Sequence, residues 1–188
     1  MYIDTSITYN ASGNPLSVFY KDTYQTINAL SNDCLNQAFV YTPIVSAENL
    51  YLGFETLYNS CYMGMFQECT NLIIPPELPT TTLADSCYYS MFENCTSLTK
   101  APKLPATTLA SSCYYQMFSG CTSLTTTPEL PATTLAGYCY YYMFQGCTAL
   151  TTISKISATT LATACCEYMF MGCTSLRATP SLPAITLI

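Results

Sequence analysis

The 188 residues are half apolar and only 9% charged, enough to bury a sizeable core, with much of the polarity carried by hydroxyl groups. A formal charge of -6 with five basic residues lacks the electrostatic footprint that a phosphate backbone or an anionic lipid surface requires, so nucleic acid is not an expected partner. No run of about 18 apolar residues occurs, so no membrane insertion is expected; the start, Met1-Tyr2-Ile3-Asp4-Thr5-Ser6, has neither the basic nor the apolar region of a secretion signal.

Residues 1-33 show no internal register and contain Gly13, Asn14 and Pro15; they are expected to form an N-terminal cap. From residue 34 the chain is periodic. Cys61, Cys87, Cys113, Cys139 and Cys165 lie 26 positions apart, as do Cys69, Cys95, Cys121, Cys147 and Cys173. Phe66, Phe92, Phe118, Phe144 and Phe170 keep the same register, and Cys34 and Phe39 anticipate it at a spacing of 27. The expected organisation is therefore a solenoid over 34-188: a degenerate repeat at 34-60, then 61-86, 87-112, 113-138, 139-164 and 165-188.

Within one unit, Cys113, Met117, Phe118 and Cys121 fall at offsets 0, 4, 5 and 8, the spacing of one helix face. Ser111 or Ser112 would cap that helix at its start and Gly120 at its end. The second half, with Leu124, Leu130 and Leu135 punctuated by Pro128 and Pro131, predicts short extended segments. Each unit then reads as about one short strand and one short helix, an α/β repeat that buries its apolar face only by stacking. In the unit at 139-164, Ser154 and Ser157 replace the prolines, which predicts a more regular strand there. The chain ends on an apolar segment without a polar cap, so Leu182, Leu187 and Ile188 are expected to form an open end covered by another subunit or other protein.

The phrases Met117-Phe118-Ser119-Gly120-Cys121-Thr122-Ser123-Leu124 and Pro131-Ala132-Thr133-Thr134-Leu135-Ala136 resemble the BspA-type leucine-rich repeats of surface proteins from gut and oral anaerobic bacteria, repeats also found in their phages. The resemblance implies a right-handed leucine-rich-repeat solenoid of about six coils, used for adhesion or recognition at the cell surface or outside the cell. The sequence departs from that pattern in lacking an asparagine ladder and in carrying prolines in the strand half.

A position recurring every 26 residues stacks on itself at about the 4.8 Å strand spacing. Glu77, Lys103, Glu129 and Lys155 then form a ladder of alternating sign, expected to be a solvated stabilising feature. With no histidine in the chain and a lysine between the two glutamates, an acid/base pair is not expected, nor any catalytic residue. The 12 cysteines are expected to be buried free thiols, with the vicinal pair Cys165-Cys166 the exception, since Cys166 takes a tyrosine position open to exposure. The two in each unit would lie about 12 Å apart on a helix, too far for a disulfide or for sharing one zinc, so no metal and no cofactor are expected.

Tyrosine is the candidate binding chemistry. Tyr62, Tyr88, Tyr114 and Tyr140 form one column and Tyr89, Tyr115 and Tyr141 the next, with Tyr138, Tyr142 and Tyr168 nearby. They cannot all face inward. Tyr88, Tyr89, Tyr114, Tyr115, Tyr140, Tyr141, Tyr142 and Tyr168 are therefore candidate surface aromatics for a protein or glycan ligand, with packing between adjacent coils the alternative. The leading functional expectation is a non-enzymatic recognition or adhesion module. The competing one is a structural subunit of a virion or of an extracellular homo-oligomer.

Overall fold

A computed structural model describes residues 9-13, 32-33, 35-54, 57-177 and 186-187, the last two and Tyr9 in backbone only. Its most regular feature is the first half of each repeat, which forms no helix. The amides alternate in destination instead. Tyr88, Ser90, Phe92 and Asn94 donate across to the carbonyls of Cys113, Tyr115, Met117 and Ser119 in the next repeat, at 2.8-3.0 Å. Between them, Cys87, Tyr89, Met91, Glu93 and Cys95 each donate to the carbonyl three residues back. The segment is thus a string of overlapping tight turns, and every second backbone donor joins neighbouring repeats. A helix would have consumed the donors beyond its first turn within the segment.

Left-handed residues cause the difference. Ser86, Ser90 and Asn94 have φ of 54°, 51° and 58°, and Ser112, Gln116 and Gly120 have 54°, 52° and 73°. One residue in four therefore leaves the right-handed region and stops the turns from winding into a continuous helix. The same spacing recurs at Ser60, Gly64 and Glu68, at Tyr138, Tyr142 and Gly146, and at Ala164, Tyr168 and Gly172. Ser112 and Gly120, expected as helix caps, are two of these turn residues.

The resulting period is four: one left-handed residue, two side chains inward, one outward. In the repeat from Ser86 the inward pairs are Cys87 with Tyr88 and Met91 with Phe92, followed by Cys95, and all five are buried. Inward rings stack across repeats. The column Phe39, Phe66, Phe92, Phe118, Phe144 and Phe170 has centroid separations of 5.4-5.6 Å, and Tyr62, Tyr88, Tyr114 and Tyr140 stack at 5.5-6.0 Å. Each buried ring contributes roughly 1.5-3 kcal/mol by leaving water.

The thiols knit the same core. Cys95, Cys121, Cys147 and Cys173 donate through Sγ to the carbonyls of Phe66, Phe92, Phe118 and Phe144, each at 3.1 Å. All described cysteines are free, and all but Cys166 are buried. Cys34 lies outside the described residues.

The second half of each repeat is sparsely paired. β1 (Tyr9-Gly13) runs parallel to β2 (Ile44-Leu50), and β3 (Thr160-Leu161) runs parallel to β4 (Thr186-Leu187). Isolated parallel bridges join Ser46 to Ile74, Thr82 to Thr108, Thr126 to Thr152, Leu130 to Ile156 and Thr134 to Thr160. The proline-free repeat is well connected to the one before it: Ser157 donates its amide to Leu130, and the Ser154 amide donates to Thr127 Oγ1 at 2.8 Å. By contrast, among the described residues no backbone hydrogen bond links 100-106 to 126-132. Pro102, Pro105, Pro128 and Pro131 supply no amide there.

Of the expected cap, only 9-13 and 32-33 are described, with β1 lying along β2. Of the expected open end, Leu182 and Ile188 lie outside the described residues, and Leu187 is placed by its backbone beside Leu161.

Candidate functional site

The four-residue period sorts the tyrosines. Tyr88, Tyr114 and Tyr140 occupy inward positions and are at most 2% exposed, so they are core residues and not surface aromatics. Their phenols are raised well above the ordinary range because burial disfavours the charged form. Tyr89, Tyr115 and Tyr141 take the outward position one residue later and are half-buried.

These three outward rings lie flat on one another. Tyr89 and Tyr115 have centroids 4.5 Å apart and planes within 4°; Tyr115 and Tyr141 are at 5.0 Å and 18°. Beside this stack lies a second, shorter one, in which Tyr142 and Tyr168 are 5.0 Å apart at 15°. Tyr142 meets Tyr141 edge-on at 4.5 Å and 87°, and Tyr168 meets it at 5.8 Å and 88°. Tyr138 closes the cluster at 5.7 Å from Tyr141. Tyr138, Tyr142 and Tyr168 hold left-handed backbone positions, which turns their side chains alongside the outward column instead of into the core. Tyr138 and Tyr168 are 43% and 47% exposed, so the cluster faces solvent.

Acidic and amide groups border it. Glu93 accepts from Gln67 Nε2 at 2.7 Å, and a shallow cavity of about 240 Å³ runs past Gln67, Tyr89, Glu93 and Gln116. Tyr141 is raised to about 12, first by desolvation within the ring cluster, then by Tyr142 and the Glu167 carboxylate. Desolvation also raises Tyr89 and Tyr115, and Tyr168 is raised first by its hydrogen bond to Glu167. All four phenols are therefore neutral near pH 7, offering apolar ring faces and hydroxyl donors and no nucleophilic oxygen.

The thiols are equally unreactive. Burial raises Cys113 and Cys166 to about 12 and pushes Cys87, Cys121 and Cys147 well above the ordinary thiol range. Among the described residues no group of three or more Cys, Asp or Glu is placed to hold a metal ion. No helix among them is long and apolar enough to cross a membrane.

Glu77, Lys103, Glu129 and Lys155 are all exposed. Lys103 and Glu129 share the wall of a cleft of about 670 Å³ with Lys100, Pro105 and Pro128, where the two prolyl segments are not hydrogen-bonded together. Glu77 borders a different, smaller depression beside Tyr51 and Pro79. The ladder is a surface feature that the clefts divide.

Glu93 and Glu167, which flank the tyrosines, do not stand out from composition or motif. They become visible once the period of four is known, because Glu93 occupies an outward position and Glu167 follows Tyr141 in the outward column.

No protein-family model, no curated protein and no solved structure matches this chain.

Proposed function

We propose that this protein is a non-enzymatic recognition or adhesion module that offers the cluster of Tyr89, Tyr115, Tyr138, Tyr141, Tyr142 and Tyr168 to a protein or glycan partner. In this reading the repeats wind as a right-handed solenoid related to BspA-type leucine-rich repeats, with the strand-and-turn coil in place of strand-and-helix, and the protein works at a cell surface or outside the cell. The carrying observation is the outward stack, whose rings are held 4.5-5.0 Å apart by adjacent repeats. Rings fixed in this way lose little conformational freedom on binding, so a partner meets a pre-organised platform. Their hydroxyls stay protonated and available for hydrogen bonds at its rim. Buried thiols and neutral phenols supply no nucleophile or base, consistent with binding and not catalysis.

The test is a screen of wild-type protein against a glycan array and a panel of extracellular-matrix proteins. It is repeated with a Tyr115→Ser, Tyr141→Ser double variant. A ligand bound by the wild type and lost from the double variant, with the fold intact by circular dichroism, is the expected result. A ligand bound equally by both proteins overturns the assignment of this face.

A second reading, a structural subunit of a virion or of an extracellular assembly, is favoured by the amides of Cys166, Tyr168, Phe170 and Gly172, which have no acceptor among the described residues.

A further inference from the structure

Neighbouring repeats close their second halves together in one place and leave them apart in another. Between 126-132 and 152-158 the backbone is joined: Thr127 and Leu130 donate their amides to the carbonyls of Thr152 and Lys155, and Ser157 donates back to the Leu130 carbonyl. The Ser154 hydroxyl adds a bond to the Thr127 carbonyl at 2.6 Å. One repeat earlier the corresponding groups stay unpaired. Among the described residues the amides of Ala101 and Leu104 have no acceptor, and the carbonyls of Leu104, Thr126 and Glu129 have no donor. The cause lies in the sequence: Pro128 and Pro131 stand where Ser154 and Ser157 supply the return bonds, and proline has no amide to give.

The space between these two segments is the cleft of about 670 Å³, a volume within the range of roughly 300-1,000 Å³ that ligand pockets occupy. Along the wall formed by 100-106, the unpaired amides of Ala101 and Leu104 follow the exposed ammonium groups of Lys100 and Lys103. Two of the five basic residues in a chain of net charge -6 thus line one cleft, with Glu129 the one carboxylate on its wall. Pro102, Pro105 and Pro128 supply apolar surface between the polar groups. Unpaired donors and acceptors spaced along two backbone segments are what an added strand pairs with. Ammonium groups beside free amides favour an anion. An extended peptide with acidic side chains meets both requirements.

We propose that this cleft binds an extended acidic peptide of a partner protein. The peptide backbone pairs with the amides of Ala101 and Leu104 and the carbonyls of Thr126 and Glu129, and its carboxylates face Lys100 and Lys103. The site shares no residue with the tyrosine cluster and does not depend on it.

The test is fluorescence anisotropy of the full chain with a labelled octapeptide of alternating Glu and Thr, beside one of alternating Lys and Thr and a labelled hyaluronan octasaccharide. Saturable binding of the acidic peptide, weakened by salt and about tenfold tighter than that of the basic one, is the expected result. A Lys100→Gln, Lys103→Gln double variant is expected to bind about tenfold more weakly with its circular dichroism unchanged. Lys155→Gln, which removes a positive charge outside the cleft, is expected to bind as the wild type does. Pro128→Ser, Pro131→Ser supplies the groups that join the next pair of repeats, so the cleft is expected to close and binding to fall. No saturable binding of the acidic peptide, equal binding of both peptides, or acidic-peptide binding that survives the lysine or the proline substitutions overturns the proposal. An octasaccharide bound more tightly than the peptide, and released by the same lysine substitutions, also overturns it and assigns the cleft to a carboxylated glycan.

Discussion

The side chain of Asn94 occupies the space that a Cβ on Gly120 would need, one repeat further along the same left-handed column. Gly120 also has φ of +73°, so alanine there meets both a backbone penalty and a steric one. Gly146 has a similar φ of +69°, but a Cβ there would lie 3.8 Å from its nearest neighbour. Gly146→Ala is therefore expected to cost about 1-2 kcal/mol, the left-handed penalty alone, and Gly120→Ala more. Denaturant unfolding of the two variants separates the terms. Equal losses would show that Asn94 moves aside freely.

The thiol column makes a second prediction. Cys121 is buried and donates to the Phe92 carbonyl at 3.1 Å. Cys121→Ala removes that bond and leaves a small void, an expected loss of about 1-2 kcal/mol. Cys121→Ser keeps a donor at the same place and is expected to cost less than alanine. Thermal melts rank the pair, and a serine variant less stable than the alanine one would mean that the hydrogen bond contributes nothing.

Stability should fall in alkali. Cys87, Cys95, Cys113 and Cys121 are raised above the ordinary thiol value of 9.0, and Tyr88 and Tyr114 above the ordinary phenol value of 10.0, all chiefly by burial. In the unfolded chain these groups ionise first, so above about pH 9 the folded state holds more protons and stability declines as pH rises. Below that pH they contribute no slope. Unfolding midpoints measured from about pH 8 to about pH 11 should drop steadily; a flat or rising profile would contradict the burial of these columns.

Thiol accessibility offers a further check. Without reductant, unfolded protein is expected to release all 12 cysteines to a thiol reagent, while native protein reacts slowly, with half-buried Cys166 first. Fewer than 12 reactive thiols in denaturant would reveal disulfides.

Much of this organisation can be read from the chain alone, because stacking repeats translate sequence period into spatial columns. The buried cysteines and the Phe and Leu columns follow from the 26-residue register. The helix did not form, for a physical reason: offsets of 0, 4, 5 and 8 fit a period of 3.6 and a period of 4 equally well over nine residues. The discriminating signal lay in the residues between them. Gly64, Gly120, Gly146, Gly172 and Asn94 recur at positions where left-handed backbone is tolerated, and Tyr88 directly precedes an outward Tyr89. At about 100° per residue Tyr88 would fall between Cys95 and Phe92 even on a helix, and in the turn string it is buried beside Cys87. Tyr88, Tyr114 and Tyr140, expected at the surface, are thus core residues in either geometry, and Tyr89, Tyr115 and Tyr141 form the half-buried outward stack.

Amide hydrogen exchange resolved by residue tests the alternating turn string most directly. At dilution, internal residues 87-95 are expected to be protected at every position, half by bonds within the segment and half by bonds to the next repeat. In the last repeat the pattern should alternate: Cys165, Glu167, Met169 and Met171 slow, Cys166, Tyr168, Phe170 and Gly172 fast. Continuous protection through 165-172, together with helical backbone chemical shifts, would contradict the account.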